Sequence, residues 1–314
     1  MIPDARVSGA IRAGSKSFAM ASALFDPATR RRASQLYAWC RYCDDVTDGQ
    51  VLGRGSLDGT LRREPAGELR RWSERALAGD TAIREPFAGL ARVVVDTGLP
   101  AAYVREHLTA FELDATGWHP ETLDDTLTYC YHAAGAVGLM MAWIMGIRDR
   151  DTLLRGCDLG LALQLTNIAR DVGEDVAQHR RMYLPLVWLR ERGLDIPLGS
   201  PMDERAKEAV VPLVARLLDE ADRYYASAWY GIGRLPPRSA WAIAAARRVY
   251  RDIGHEVRRR GTRAWDARVA TSRAQKLWRV AQALGDSMWA LTAAPWGAAP
   301  RVGLWTPPSS RVLG

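Results

Sequence analysis

With 314 residues and 48% apolar side chains, the chain can bury a substantial core, which excludes a disordered protein. Lys and Arg outnumber Asp and Glu (43 against 36) and the pI is near 9.5, a balance suited to nucleic acid, an acidic membrane surface or a phosphorylated substrate. The four cysteines suggest no disulfide framework, and nothing completes a zinc site around Cys40 and Cys43, so a reducing cytoplasm is expected.

Residues 1–13 lack an apolar h-region, so no secretory signal is expected, and they read as an N-terminal tail. Beyond them the hydrophobic period is helical and alternating strands are absent. Helices are predicted around 29–48, 67–79, 82–97, 101–115, 122–147, 150–177, 204–231, 237–260 and 271–293. Residues 49–67 are Gly-rich and charged, 193–201 carry two prolines, and Leu235-Pro236-Pro237 is a break. The longest apolar run, 133–147, is short for a bilayer and reads as a core helix, leaving only peripheral membrane contact. No repeat or composition shift marks a second domain. The prediction is one all-α domain over 14–290, followed by a Pro/Gly-rich tail over 291–314.

Two helices carry unusual polar faces. In the first, Tyr37, Arg41, Asp44 and Asp48 share an arc of roughly 60° at 100° per residue. Asp44 and Asp48 stack about 6 Å apart along the axis and repel unless a cation lies between them. In the second, Gln164, Asn167, Asp171, Glu174 and Asp175 occupy about 100° of the wheel beside an apolar arc of Leu161, Leu165, Ile168, Val172 and Val176. Asn and Asp are mediocre helix formers, so their concentration here opposes local propensity.

Each stripe alone fits a solvated helix face; together they fit opposite walls of one cavity. Hard oxygen donors in that arrangement suit Mg²⁺, with Mn²⁺ the alternative, sharing phosphate oxygens with a substrate. The chemistry so supported is ionisation of an allylic diphosphate, with the carbocation sheltered by apolar walls. No phosphate-binding Gly-rich loop follows a strand. The basic cluster Arg258-Arg259-Arg260 is compatible with a solvated face or an anionic contact, and no nucleic-acid-binding signature accompanies it.

At these residues the sequence resembles the squalene/phytoene synthase family, over about residues 14–284. The likeness rests on Gly14-Ser15-Lys16-Ser17-Phe18, on Tyr37-Ala38-Trp39-Cys40-Arg41 running into Asp44-Asp45-Val46-Thr47-Asp48, and on Tyr129-Cys130-Tyr131-His132-Ala133-Ala134-Gly135-Ala136-Val137-Gly138. It continues through Gln164-Leu165-Thr166-Asn167-Ile168-Ala169-Arg170-Asp171-Val172-Gly173-Glu174-Asp175 and Tyr183-Leu184-Pro185. The resemblance implies an isoprenoid synthase-type helical bundle around a central apolar cavity. It assigns Mg²⁺ and diphosphate to Asp44, Asp48, Asp171 and Asp175, with Asn167 a further metal ligand. Tyr37 and Arg41 would serve catalysis at the diphosphate. Ser15, Gln164, Arg170, Tyr183, Tyr250 and Arg268 would lie against substrate, and Asp114 resembles a further acidic position of phytoene-forming members. Gly135 and Gly138 each cost about 1 kcal/mol in a helix relative to Ala; close helix packing and room for a prenyl tail both explain them.

The implied reaction is a prenyl transfer joining two geranylgeranyl diphosphates head to head, through prephytoene diphosphate, to phytoene. It needs no NADPH. A member using farnesyl diphosphate, making dehydrosqualene or presqualene diphosphate, is the alternative; a non-catalytic member should have lost aspartates that are all present here. The protein is expected in the cytoplasm, with prenyl diphosphates as partners, no nucleic acid, and a bilayer touched only peripherally.

Overall fold

The computed structural model describes residues 20–48, 66–269, 272–293 and 301–308, and no strand occurs among them. Eleven α-helices carry these residues: α1 (Pro27–Asp48), α2 (Ala66–Leu77), α3 (Phe87–Thr97), α4 (Ala101–Ala115), α5 (Leu123–Cys130), α6 (Ala136–Ile144), α7 (Arg150–Glu174), α8 (Leu186–Arg190), α9 (Glu204–Ile232), α10 (Pro237–Arg260) and α11 (Arg273–Ala293). Polar caps start several of them. Asp149 accepts from the Thr152 amide at 2.9 Å before α7, and Asp203 from the Ala206 amide at 2.7 Å before α9. Before α5, Thr122 and Asp125 form a reciprocal capping box.

α7 is the axis of the molecule. It packs against α9, α6 and α10 and is buried on several faces, including Leu153, Asp158, Leu161 and Leu165, as a central helix must be. The α6–α7 crossing is close because it is built from small residues. A Cβ at Gly138 would lie 2.2 Å from the Gly156 carbonyl oxygen, and one at Gly160 2.2 Å from that of Ala134. Neither backbone can yield without separating the helices.

Three predicted elements differ in detail. The third helix starts at Phe87 instead of 82, because Pro86 restrains the residue before it and leaves its own nitrogen without a proton. The stretch 122–147 is divided by a π-helical turn at Tyr131–Gly135, and a second π turn, Asp175–His179, follows α7. The third difference is at the C-terminus. α11 ends at Ala293 as predicted, but in residues 301–308, expected in a loose tail, Leu304 and Trp305 pack against the core. The span Leu123–Ile144 is long and apolar enough to cross a bilayer, yet it is mostly buried inside the protein, as expected of a core helix.

Candidate active site

A cavity of about 590 Å³ runs alongside α7, with walls from α1, α4, α6, α9 and α10. Its lining changes character along α7. Gln164, Asn167 and Arg170 face it near the helix C-terminus; Gly160, Leu159, Gly156, Arg155 and Thr152 face it further in. At 1.5 Å per residue, Asn167 and Thr152 are about 22 Å apart along the axis. Tyr37, Arg41 and Asp44 of α1, Tyr250 of α10 and Arg268 join the lining around the polar end, and Lys276 is a further cation in the lining.

Charges at that end are interleaved. Arg41 sits between two acids: Nη1 is 2.8 Å from Asp44 Oδ2, and Nε donates to Asp45 Oδ1 at 2.9 Å. Asp44 is half-exposed and lines the cavity; Asp45 does not. Arg170 donates from Nε to Asp171 Oδ1 at 2.7 Å and from Nη2 to the other oxygen. Burial opposes the charge on Arg170, but the Asp171 carboxylate outweighs it, and its pKa lies above the ordinary value. Arg268 Nη2 donates to Asp171 Oδ2 at 3.2 Å. Desolvation pushes the Tyr37 phenol up to about 12, so it is neutral and able to donate at physiological pH.

One polar atom is conspicuous. Asn167 Nδ2 donates to Gln164 Oε1 at 3.3 Å, while Asn167 Oδ1 is buried with no hydrogen-bond partner. Such an orphan acceptor is costly unless a ligand completes it. Among the described residues, no three His, Cys, Asp or Glu side chains are gathered so as to hold a metal by themselves. A divalent ion here would need oxygens from substrate and water, which is how Mg²⁺ is commonly held.

The squalene/phytoene synthase profile matches residues 11–275. The chain is 46% identical to the 15-cis-phytoene synthase of Pantoea ananas over 88% of its own length and 89% of the relative's. It is 48% identical to the 15-cis-phytoene synthase of Enterobacter agglomerans, over 88% and 92% of the two chains. The chain belongs to the squalene/phytoene synthase family. Among solved structures, a dehydrosqualene synthase with bound ligand superimposes with a TM-score of 0.77 at 27% identity, covering 90% of this chain and 95% of that one.

The residues singled out in the sequence are distributed unevenly. Tyr37, Arg41, Asp44, Gly138, Gln164, Asn167, Arg170, Tyr250 and Arg268 come together around one cavity. Asp171 is not among the lining residues and holds Arg170 and Arg268 from behind. Asp175 begins the π turn after α7, near enough to Arg170 to act on its charge. Ser15 and the side chain of Asp48 lie outside the described residues.

Two of the expected substrate residues stand outside the lining. Tyr183, assigned to substrate, is buried outside the lining and donates to Asp114 Oδ1 at 2.7 Å. Tyr129 donates to the other Asp114 oxygen at 3.1 Å, and the two phenol rings stack at 4.6 Å. Tyr183 therefore orients Asp114 and Tyr129, which do line the cavity. Gly135 does not line it either: a Cβ there would lie 2.7 Å from Leu161 Cδ1, so its role is helix packing. Gly138 both packs and lines.

Sequence reasoning missed Lys276, in the first turn of α11, and His107, which lines the cavity from α4. A lone lysine or histidine on a helix carries no local signal of a cavity. The arginine cluster proves to be satisfied internally: Arg258 is 2.8 Å from Asp219, while Arg259 and Arg260 both hold Glu256.

Proposed function

We propose that the chain is a phytoene synthase, joining two geranylgeranyl diphosphates head to head. The observation that carries this reading is a cavity with a cationic, carboxylate-bearing end and an apolar interior of suitable depth. An extended sixteen-carbon prenyl chain reaches about 19 Å and a twelve-carbon chain about 14 Å at ordinary bond lengths and angles. The span of about 22 Å from Asn167 to Thr152 accommodates the longer one. The names of the two bacterial relatives support the same substrate.

In this reading Arg41, Arg170, Arg268 and Lys276 neutralise the diphosphates, the neutral phenol of Tyr37 donates to them, and Tyr250 lies against them. Mg²⁺, with Mn²⁺ as a substitute, would be held by Asp44, Asp48, Asn167, Asp171 and Asp175. It would supply Lewis-acid assistance to departure of diphosphate. Leu159, Leu163, Val137 and Met141 exclude water while the allylic cation is attacked by the C2–C3 double bond of the second molecule. Proton loss closes the cyclopropane of prephytoene diphosphate. A second ionisation, rearrangement and proton loss yield phytoene, so no hydride donor is consumed.

The purified protein given Mg²⁺ and the C20 diphosphate, without NADPH, should release a C40 hydrocarbon, and EDTA should stop it. Product from the C15 diphosphate alone would instead assign the dehydrosqualene-type reaction. A peripheral bilayer contact belongs to the same proposal. Its support is the exposed apolar stripe of α11, formed by Leu277, Trp278, Leu284, Met288 and Trp289.

A further inference from the structure

Part-way along the cavity, three different helices each contribute an alanine to the lining: Ala142 of α6, Ala228 of α9 and Ala246 of α10. Contacts with neighbouring residues fix their level. Ser227, next to Ala228, accepts from Arg155 Nη1 at 3.0 Å and donates to Asp158, and a Cβ on Gly231 would lie 2.6 Å from Arg155 Cβ. Ala228 therefore stands beside residues 155–158 of α7. Arg247 of α10 donates to the Tyr225 carbonyl at 2.9 Å and lies over the Trp229 ring, which brings its neighbour Ala246 to the level of Ala228. From α6, Ala142 reaches the same level, because a Cβ on Gly156 would lie 3.2 Å from Ala142 Cβ.

Residues 158 and 155 lie about 14 and 18 Å from Asn167 along the α7 axis. A C15 chain ends about 14 Å from its diphosphate and a C20 chain about 19 Å. With the diphosphate end at Asn167, the shorter chain stops at the alanines and the fourth isoprene unit of the longer one passes among them. The lining does not end there. Ile232, Met145 and Thr152 continue it further in, so the alanines border a passage and do not form its floor. A leucine in place of one of them would bring most of the bulk of an isoprene unit into that passage, and a close-packed interior leaves little room to accommodate both. Ala142 is also part of the α6–α7 crossing, so Ala228 and Ala246 are the positions that act on the passage separately.

We propose that Ala228 and Ala246 are specificity-determining residues: their small side chains hold open the passage that the fourth isoprene unit occupies, and larger ones there confine the cavity to C15 chains. The inference rests on the C20 reading above. Enlarging either residue should therefore penalise the longer chain selectively. A general loosening of the fold would weaken both.

The test measures affinities of non-reactive thiolodiphosphate analogues of the C20 and C15 substrates, with Mg²⁺ present, by calorimetry on the full chain. Ala228→Leu and Ala246→Leu should each weaken the C20 analogue about tenfold, the scale of overpacking, and the C15 analogue by less than about twofold. Equal weakening of both analogues, or an unchanged ratio in either folded variant, overturns the proposal. Should Ala228→Leu fail to fold, the smaller Ala228→Val decides: the ratio should shift by about threefold, and an unchanged ratio overturns the idea. Conversion of the C20 diphosphate by the wild-type protein is read in a separate assay. Its failure would remove the substrate reading, whereas the binding ratio alone decides the role of the two alanines.

Discussion

Arg170 is clamped by Asp171, the next residue in the chain, with both carboxylate oxygens engaged by one guanidinium. Arg170 faces the cavity and Asp171 stands behind it, so the carboxylate neutralises a buried cation; in the proposed reading it would also meet the metal. Asp171→Asn and Asp171→Ala should both lower kcat by at least about a hundredfold, the scale of lost Lewis-acid assistance of several kcal/mol. They should differ in stability. Asp171→Ala strands Arg170 and should lose about 3 kcal/mol, whereas Asp171→Asn keeps an acceptor and should lose less. Steady-state kinetics and urea midpoints on both variants check this.

Tyr183 tests whether contact with Asp114 or contact with substrate matters at that position. Tyr183→Phe deletes a hydrogen bond to a carboxylate and should lower stability by about 1–3 kcal/mol. KM for the prenyl diphosphate should stay within about threefold of wild type, since a residue that positions others removes little uniform binding. A tenfold rise in KM would restore the direct substrate role.

Gly138→Ala should destabilise the α6–α7 crossing, where the new Cβ meets the Gly156 carbonyl carbon at 2.8 Å as well as its oxygen. Overpacking against backbone should lose about 2–3 kcal/mol or more, read as a lower thermal midpoint.

His107 makes stability depend on pH. Its Nδ1–H donates to the His132 carbonyl at 3.0 Å, Nε2 has no partner, and burial pushes its pKa down to about 4. The unfolded imidazole titrates near 6.5, so below that pH the unfolded chain binds a proton that the folded one refuses. The stabilising contribution is full above pH 6.5 and is lost as pH falls towards 4, by about 3 kcal/mol in all. His107→Phe should flatten that slope in denaturation curves between pH 4 and 6.5, even though it loses the hydrogen bond to His132. An unaltered slope would assign the acid lability elsewhere.

Much of this protein is legible in its residues because helices are local. A 3.6-residue period, N-caps such as Asp149 and Asp203, and breaks such as Leu235-Pro236-Pro237 act over a few positions, and the observed helices follow them closely. The same period put Tyr37, Arg41 and Asp44 on one face and Gln164 and Asn167 on another, and both faces line the cavity. What departed from expectation depended on partners far away in the chain. Tyr183 finds Asp114 69 residues earlier, and Arg301 finds Asp158 143 residues earlier. A buried charge is stable only where its counter-ion meets it, and no local pattern announces that meeting. By itself, then, the sequence determined the all-helical fold and the two polar faces; only the tertiary structure decided which glycine packs, which tyrosine positions another residue, and how the C-terminal segment is anchored.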